Sequence, residues 1–406
     1  MKSKIVKQVT GMILAASVAA VLAGCGGSGE DGTLEETSSA ESAEQQQGEE
    51  GDTIRFALIS PMTGDNAATG AQQDNGVKLA VEKINENGGV NGKMLEYDVF
   101  DDQNNTNQSI ICAEKIAADG NYRFVVASNS SGCSQAAYPA LESAGIPLIS
   151  GINTGDFMTD QGFSMYMRIC ARDSIQSVQL VASVVEAGYT KPAIFYTTAE
   201  TDTMNFQIIT NYLKDSYGID VVASAQVQPE TEKDFASYIT NFQNAGADCV
   251  IFVSEYSPAA LFIKQANTLG WTDYGRFCNA GCSNPQLIEI AGADVAEGVI
   301  STASFVADRE KATGEKAEFI DQYTELAGIE PGEWAAGAYD VVCMMADVLS
   351  KEEAADLYGQ ELVDWIKENE TYEGIMVDID IDENGDNSLA QTVQLIVRDG
   401  VWRERD

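Results

Sequence analysis

Histidine is absent from all 406 residues of this sequence. Without an imidazole the chain cannot build a serine–histidine or cysteine–histidine nucleophile pair, a histidine general base, or a histidine-ligated metal site. Many hydrolase mechanisms are therefore excluded before any motif is considered.

Basic residues are also scarce. The sequence has 24 lysines and arginines against 63 acidic residues, which gives a formal net charge of −39. Nucleic acids and anionic membrane surfaces would repel such a chain. The excess of acid either serves solubility or complements a basic partner.

The eight cysteines include no CxxC pair, which disfavours zinc-ribbon and thioredoxin-like sites. Cys278 and Cys282, or Cys112 and Cys133, could form disulfides. Alternatively, the thiols are buried and act as small apolar side chains. The sequence leaves both arrangements open.

Long apolar runs are missing except near the N-terminus, where three lysines precede an uncharged stretch at 9–24. This stretch is short for a membrane-spanning helix and ends in Leu22-Ala23-Gly24-Cys25. The ending resembles a bacterial lipobox, which implies a signal peptide at 1–24 and a lipid anchor on Cys25. Acid-rich, base-free composition then predicts a disordered linker at 25–52.

From Thr53 onward, strand-like and helix-like segments alternate. The predicted strands are Ile54–Ser60, Met94–Phe100, Phe124–Ala127, Pro147–Ser150, Ala193–Tyr196, Val221–Ala225 and Cys249–Val253. The predicted helices are Gly70–Asn87, Asn107–Ala118, Cys133–Ala144, Met204–Tyr217, Phe235–Ala245 and Pro258–Leu269. Because this βαβα order restarts, it predicts an α/β fold with two doubly wound parallel-sheet lobes. A ligand is then expected at the carboxyl ends of the strands, in the cleft between the lobes.

Several short motifs carry a resemblance to a known family. They are Thr63-Gly64, Gly70, Gly76…Ala80, Ile84-Asn85…Gly88-Gly89…Asn91-Gly92, Asp101-Asp102, Gly145-Ile146-Pro147…Ser150, Arg168…Arg172-Asp173…Gln176 and Lys264-Gln265-Ala266…Gly270. Any one of them alone would be a weak indication. Together they closely resemble the leucine/isoleucine/valine-binding family of periplasmic binding proteins over residues 53–406.

The resemblance implies a type I periplasmic binding protein fold, in which three chain segments form the hinge. Lobe one would comprise 53–172 plus 303–378, and lobe two 173–302 plus 379–406. The implied protein is extracytoplasmic and lipid-anchored, captures an amino acid or a related small carboxylate or amide, and delivers it to an ABC permease. We expect no cofactor, no metal and no nucleic-acid partner. The sequence identifies neither the solute nor the permease.

A serine-rich turn, Ser128–Cys133, follows the predicted strand Phe124–Ala127 and opens a helix. Unpaired N–H groups at a helix start, with hydroxyls beside them, suit a carboxylate. Ser130, Ser131 and Gly132 are therefore candidate ligand-binding residues. The resemblance aligns Ser131 with the family serine that holds the ligand carboxylate. Ordinary N-capping by Ser130 or Ser131 is the alternative.

A second polar segment, Ser150–Thr154, leaves the next predicted strand at its carboxyl end. The resemblance implies ligand contacts from the Ile152 backbone and the Thr154 side chain, with Asn153 between them. The alternative is a polar loop stabilised by Asx or Thr turns.

One family feature is missing. The acidic residue that meets the ligand ammonium in the family aligns at or near Ala280, where no carboxylate stands. Glu255 occupies a position at which the family has an aromatic residue. Three interpretations stay open. Glu255 supplies the relocated charge, because a buried ammonium needs a partner; the ligand has no ammonium; or Glu255 points to solvent.

Two further positions make the predicted pocket more polar than one for leucine, isoleucine or valine. Thr69 stands where an aromatic residue often lines the family's cleft. Asp202 lies in a loop that in the family usually ends in Tyr-Gly, a motif that is missing from this sequence. Trp334 either walls the cleft or packs in the core.

Two other functions compete with transport. A ligand-sensing ectodomain would share the fold, but it would need a membrane helix and a signalling domain that the sequence does not show. For an enzyme, Ser130 or Ser131 faintly resembles a nucleophile elbow, yet GxSxG and a histidine base are missing. The adjacent acids Asp101-Asp102 and Glu352-Glu353 suit solvated turns better than a glycosidase. We therefore predict a binding protein that performs no chemistry.

Overall fold

The computed structural model describes residues 53–405. The predicted signal peptide at 1–24, the predicted linker at 25–52 and the predicted lipid site Cys25 lie outside the described residues. Within the described range, no helix combines the length and the apolar character that a membrane span requires.

The first part of the chain builds a sheet covered by helices, which we call lobe one. Its elements are β1 Thr53–Ser60, α1 Ala67–Glu86, β2 Met94–Asp101, α2 Thr106–Asp119, β3 Val125–Val126, α3 Ser131–Ser143, β4 Leu148–Ser150, α4 Phe157–Asp160 and β5 Tyr166–Arg168. The strands form a five-stranded parallel sheet in the order β2-β1-β3-β4-β5. Consecutive buried residues at 56–59 are typical of a parallel strand covered on both faces.

The next part builds a second sheet-and-helix unit, lobe two. Its elements are α5 Asp173–Glu186, β6 Pro192–Thr197, α6 Glu200–Tyr217, β7 Ala223–Val227, α7 Ala236–Asn244, β8 Cys249–Val253, α8 Tyr256–Thr268, β9 Gly275–Cys278, a short 3-10 helix Ala280–Cys282, α9 Pro285–Ala291, α10 Ala293–Ala296 and β10 Ile300–Ala303. Separate apolar clusters cover the two faces of this sheet. These observations confirm the predicted α/β class and its two doubly wound lobes.

The chain then returns to lobe one and finally to lobe two. The returning elements are α11 Gly314–Ala327, α12 Glu333–Ser350, α13 Gly359–Asn369, β11 Thr371–Tyr372 and β12 Ile379–Asp380, followed by β13 Val393–Arg398 and β14 Val401–Glu404. The last two strands complete a seven-stranded sheet in the order β14-β13-β10-β9-β8-β6-β7.

This second sheet is mixed, whereas the prediction was of parallel sheets only. β13 runs antiparallel to both β10 and β14. The turn Asp399-Gly400, with φ angles of 54° and 74°, joins β13 to β14. Strands joined by two residues can pair only in the antiparallel sense, so this tight hairpin decides the local topology.

Three passages of the described chain connect the lobes. Cys170 belongs to the core of lobe one and Leu180 to that of lobe two. Ala303 packs in lobe two, and Phe305 in lobe one. Ile381 still packs in the core of lobe one. The last passage therefore comes after Ile381, later than the boundary expected between 378 and 379.

Helix α12 lies unusually close to two other segments, the loop that follows β4 and helix α1. A Cβ atom added to Gly151 in the loop would lie 2.5 Å from the backbone carbon of Gly337. A Cβ atom added to Gly76 in α1 would lie 2.2 Å from the carbonyl oxygen of Ala335. Glycine at these positions lets backbones approach to distances that a side chain forbids. The close packing positions segment 150–154 at the edge of the interlobe gap.

The cysteines of the described residues are all free and buried. Neither Cys278 with Cys282 nor Cys112 with Cys133 forms a disulfide. The thiols act as small apolar side chains, which is the second of the two arrangements that the sequence left open.

Candidate functional site

The N-terminus of α3 opens toward the gap between the lobes. Ser130 is the N-cap residue, and its Oγ accepts a hydrogen bond from the N–H of Cys133 at 3.5 Å. The Oγ of Ser131 accepts from the N–H of Gly155 at 3.1 Å. The first N–H groups of a helix have no partner within it, so Ser131 and Gly132 present backbone donors at this end. Capping and anion binding are compatible here.

The second predicted segment lies directly beside the first. The Oγ of Ser150 accepts from the N–H groups of Ile152 and Asn153, at 3.1 and 2.7 Å. The Nδ2 of Asn153 donates to the carbonyl of Ser128 at 2.8 Å. The structure therefore brings segments 128–134 and 150–154 together at the carboxyl ends of β3 and β4.

Two of the predicted ligand residues lie behind the cavity wall instead of in it. Asn153 is fully buried, and its side-chain amide is used by the Ser128 carbonyl. Thr69 is also fully buried; its Oγ1 donates to the Asn66 carbonyl and accepts from Asn129 Nδ2. Both residues hold neighbouring loops. The prediction that these two residues line the site is wrong, because the direction of their side chains depends on packing that the sequence does not show.

The opposite wall belongs to lobe two. Glu255 follows β8, and Asp202 lies in the first turn of α6, which follows β6. β6 and β8 are hydrogen-bonded neighbours in parallel register, with Tyr196 opposite Val253. Because parallel strands end at the same edge of a sheet, Asp202 and Glu255 lie next to each other.

Both carboxyl groups are shielded from water. Burial raises the pKa of Asp202 to about 7, although a hydrogen bond from Thr197 lowers it. Burial, followed by the charges of Asp202 and Glu333, raises the pKa of Glu255 to about 8. Glu255 is half-buried as a residue, but its Oε2 is inaccessible and has no hydrogen-bond partner. Glu255 thus faces the gap and not bulk solvent.

Two further acids line the cavity and are missing from the sequence-based set. Glu333 opens α12 and accepts from the Oγ of Ser283 at 3.1 Å and from the N–H of Ser304 at 2.9 Å. Burial raises the pKa of Glu333 to about 7 and that of Asp173, at the start of α5, to about 6. The sequence did hold signals for both, since Glu333 adjoins Trp334 and Asp173 belongs to a family motif.

These segments enclose a cavity of about 650 Å³. Small-molecule sites typically measure about 300–1,000 Å³, so the cavity suits a small solute. The sequence-predicted residues that line it are Ser130, Ser131, Gly132, Ile152, Thr154, Asp202, Glu255 and Ala280. Trp334 also lines the cavity.

Ala280 brings no charge to the wall, but it lies close to Glu255. It begins the short 3-10 helix and is buried. A Cβ atom added to the next residue, Gly281, would lie 2.8 Å from the carbonyl oxygen of Ser254. The turn at Ala280 therefore packs against the residue that precedes Glu255.

Direct contacts join the lobes at the cavity mouth. Lys233 Nζ of lobe two lies 2.8 Å from Asp65 Oδ2 of lobe one. The hydroxyl of Tyr256, also of lobe two, donates to the carbonyl of Asp65 at 2.9 Å. Asp65 and Lys233 also line the cavity.

Residues 53–398 match a family model described as periplasmic binding protein. The chain belongs to the periplasmic binding protein family. A curated relative, the leucine-, isoleucine-, valine-, threonine- and alanine-binding protein of Pseudomonas aeruginosa, is 28% identical over 338 residues, covering 82% of this chain and 87% of the relative.

Solved structures of other periplasmic binding proteins share the fold. The leucine-binding protein LivK of Thermotoga maritima superposes with a TM-score of 0.79 at 24% identity, covering 87% of this chain and 98% of LivK. A solute-binding protein of Rhodopseudomonas palustris in complex with 3,4-dihydroxybenzoic acid gives 0.78 at 21% identity, covering 87% and 96%. The periplasmic binding protein fold thus serves chemically different ligands, and the site must decide which one binds here.

Proposed function

We propose that this periplasmic binding protein is the extracytoplasmic component of an ABC importer and captures an amino acid or a closely related small carboxylate. The observation that carries the proposal is a helix N-terminus that faces a wall of carboxylates across one interlobe cavity. An amino acid carries complementary charges in the same arrangement.

The solute carboxylate binds at the start of α3 in this proposal. Ser131 and Gly132 offer backbone N–H groups, and Ser130, Ser131 and Thr154 line the cavity. Because the Ser131 Oγ accepts from Gly155, its own proton remains to donate to the solute. A helix N-terminus stabilises an anion by about 0.3–1 kcal/mol when exposed and up to about 2 when partly buried. Charge-assisted hydrogen bonds add to this.

The solute ammonium pairs with Glu255. An inaccessible carboxylate oxygen without a partner is costly, and a cationic donor removes that cost. This pairing is the relocated-charge interpretation, and the packing of the Ala280 turn beside Ser254 supports it. A ligand without an ammonium would leave the Glu255 oxygen unpaired.

Binding proceeds by closure of the two lobes. The solute first occupies the α3 end on lobe one, and lobe two then brings Glu255 and Asp202 over it. Closure is stabilised to the extent that the solute contacts both lobes. Closure also forms two contacts between the lobes at Asp65. Its side-chain carboxylate pairs with Lys233, and its backbone carbonyl accepts a hydrogen bond from the Tyr256 hydroxyl.

The importer role is supported by the curated relative, which is named for amino acid binding. We include the lipid anchor on Cys25 in the proposal, because it would keep the protein at the membrane beside its permease. Cys25→Ser should move the protein from the membrane fraction to the medium and leave solute affinity unchanged. Retention of the variant in membranes would contradict the anchor.

Calorimetric titration with three related compounds tests the site. The compounds are an α-amino acid, its deaminated carboxylic acid and its decarboxylated amine. The amino acid should bind, and both analogues should bind much more weakly. The deaminated acid leaves Glu255 without its cationic partner, and the amine leaves the N–H groups at the start of α3 without an anion. Equal affinity for the amino acid and the deaminated acid would contradict the role of Glu255. Failure of every amino acid to bind would contradict the proposed function.

A further inference from the structure

Two of the amide side chains that line the cavity each leave one polar group free. On the basis of the proposed function, we propose that the solute's side chain is neutral and polar, with a group that both donates and accepts hydrogen bonds. A carboxamide, as in asparagine, and a hydroxyl, as in threonine, have this chemistry. The feature that points to it is a free acceptor on Asn129 and a free donor on Asn279, which line the same cavity.

The residues that line the cavity are mostly polar. Apart from Ile152 and Trp334, those in the described part of the chain include no leucine, isoleucine, valine, methionine or aromatic residue, whereas eight are asparagine or glutamine. Small-molecule sites are usually lined predominantly by hydrophobic and aromatic side chains. A purely apolar solute side chain would therefore find few apolar partners here.

Asn129 follows β3 in lobe one and is only 7% exposed. Its Nδ2 donates to the Oγ1 of Thr69 at 2.5 Å, and that hydroxyl donates its own proton to the carbonyl of Asn66 at 2.7 Å. Because the Thr69 proton is already used, its oxygen can only accept, so the amide of Asn129 faces it with the nitrogen. The Oδ1 of Asn129 is the end that remains, and it is shielded from water and has no donor.

Asn279 follows β9 in lobe two and directly precedes Ala280. Its Oδ1 accepts from the backbone N–H of Ser254 at 3.3 Å. This contact fixes the oxygen end of the amide on the protein, because a backbone N–H can only donate. The Nδ2 of Asn279 has no acceptor among residues 53–405 and is left as a donor in the cavity lining.

The α-groups of the solute have the wrong polarity for these two positions. Asn129 directly precedes Ser130 and Ser131, where the solute carboxylate binds in the proposed function, and a carboxylate has no proton to donate. Asn279 is bonded to the residue before Glu255, which pairs with the solute ammonium, and an ammonium cannot accept. The solute's side chain is therefore the part that serves the two free groups.

Only a neutral polar side chain satisfies both groups. An ionised carboxylate accepts from Asn279 but has no proton for Asn129, and an ammonium donates to Asn129 but cannot accept from Asn279. An apolar side chain satisfies neither group, and a buried polar group without a partner costs about 1–3 kcal/mol. A carboxamide or a hydroxyl both donates and accepts.

The test compares amino acids of nearly equal shape that differ in side-chain polarity. Calorimetry on the full chain at neutral pH would measure the affinities for asparagine and leucine, which differ by a carboxamide in place of a branched alkyl end. It would also measure those for threonine and valine, which differ by a hydroxyl in place of a methyl group. We expect the polar member of at least one pair to bind at least tenfold more tightly, about 1.4 kcal/mol. The pair that shows the difference identifies the group as a carboxamide or a hydroxyl.

The outcomes separate this inference from the proposed function. A smaller ratio in both pairs overturns the inference, and binding of leucine or valine would then leave the proposed function standing. Tighter binding of aspartate or lysine than of all four compounds would also overturn the inference. Failure of every amino acid to bind would overturn both.

Two variants locate the effect. Asn129→Ala and Asn279→Ala should each reduce the preference for the polar amino acid over its apolar counterpart, because each removes one of the free groups. Asn241→Ala on α7 is the control, since Asn241 is exposed and lies outside the lining. The preference should survive in the control. Its survival in both cavity variants would overturn the inference, and a circular dichroism melt would establish that each variant is folded.

Discussion

Two ion pairs of nearly equal length offer a matched test of what burial does to a charge. Arg168 Nε lies 2.5 Å from Asp386 Oδ1, and Arg309 Nε lies 2.6 Å from Asp321 Oδ1. The Arg168 side chain is 0% exposed, whereas that of Arg309 is 51% exposed. We expect Arg168→Met and Arg309→Met to differ greatly in their effect on the free energy of unfolding.

Arg168 does more than neutralise one carboxylate. Its Nη1 donates to the carbonyls of Asn153 and Gly155, at 3.0 and 2.8 Å, and its Nη2 donates to the Oγ1 of Thr159 at 2.6 Å. Arg168→Met leaves these buried acceptors without their donor. The two carbonyls flank Thr154, so the same substitution should also weaken solute binding.

Removing one partner of a buried pair costs about 3–5 kcal/mol. In Arg168→Met, Asp386 still has Arg172 as a partner, because Arg172 Nη1 lies 3.0 Å from Asp386 Oδ2. The buried Asp386 charge therefore stays partly neutralised. We therefore expect a loss near the lower end, about 3 kcal/mol, for Arg168→Met. Arg309→Met should cause little measurable change, because water screens an exposed pair.

Urea unfolding monitored by circular dichroism measures both losses, and an unchanged m-value would show that the comparison concerns stability alone. Calorimetry with the preferred solute would then compare the two variants in binding. Equal losses of stability for Arg168→Met and Arg309→Met would refute the reasoning. So would unchanged solute affinity in Arg168→Met.

Three further outcomes are expected. Ser131→Ala combined with Thr154→Ala should weaken solute binding by about 2 kcal/mol in calorimetry, while Ser143→Ala at the exposed end of α3 should not. Burial raises the pKa of Glu255 from 4.5 to about 8, so the folded protein without solute binds more protons than the unfolded chain in that range. Its melting temperature should fall as pH rises from 4.5 to 8, and less steeply in Glu255→Gln; parallel curves would contradict this. Gly76→Ala should cost about 1–3 kcal/mol in urea unfolding, because its Cβ would meet a backbone oxygen of α12.

The secondary structure could largely be predicted from the sequence because its determinants are local. β8 at Cys249–Val253 agrees with the prediction residue for residue, and the helix predicted at Asn107–Ala118 is α2, Thr106–Asp119. Periodicity and capping residues determine such segments within a few positions. The antiparallel β13 was not predicted, because its neighbour in the sheet, β10, precedes it by about ninety residues.

The candidate site was predictable in part for the same reason. A serine-rich turn between a strand and a helix is visible in the sequence, and Ser130, Ser131 and Gly132 do line the cavity. Thr69 lies in α1 and is buried, and its Oγ1 accepts a hydrogen bond from Asn129, sixty residues later in the chain. The sequence could not show this contact or that Thr69 lies behind the cavity wall.

The α/β class, the alternation of strands and helices and the serine-rich turn at the start of α3 follow from the sequence, because each depends on residues that are close together in the chain. Which charges share the cavity depends instead on the tertiary structure. Asp173, Glu255 and Glu333 come from three different stretches of the chain, and folding brings all three to the lining of one cavity. Their electrostatic interaction depends on distance in space, which hydrophobic patterning and turn chemistry do not specify.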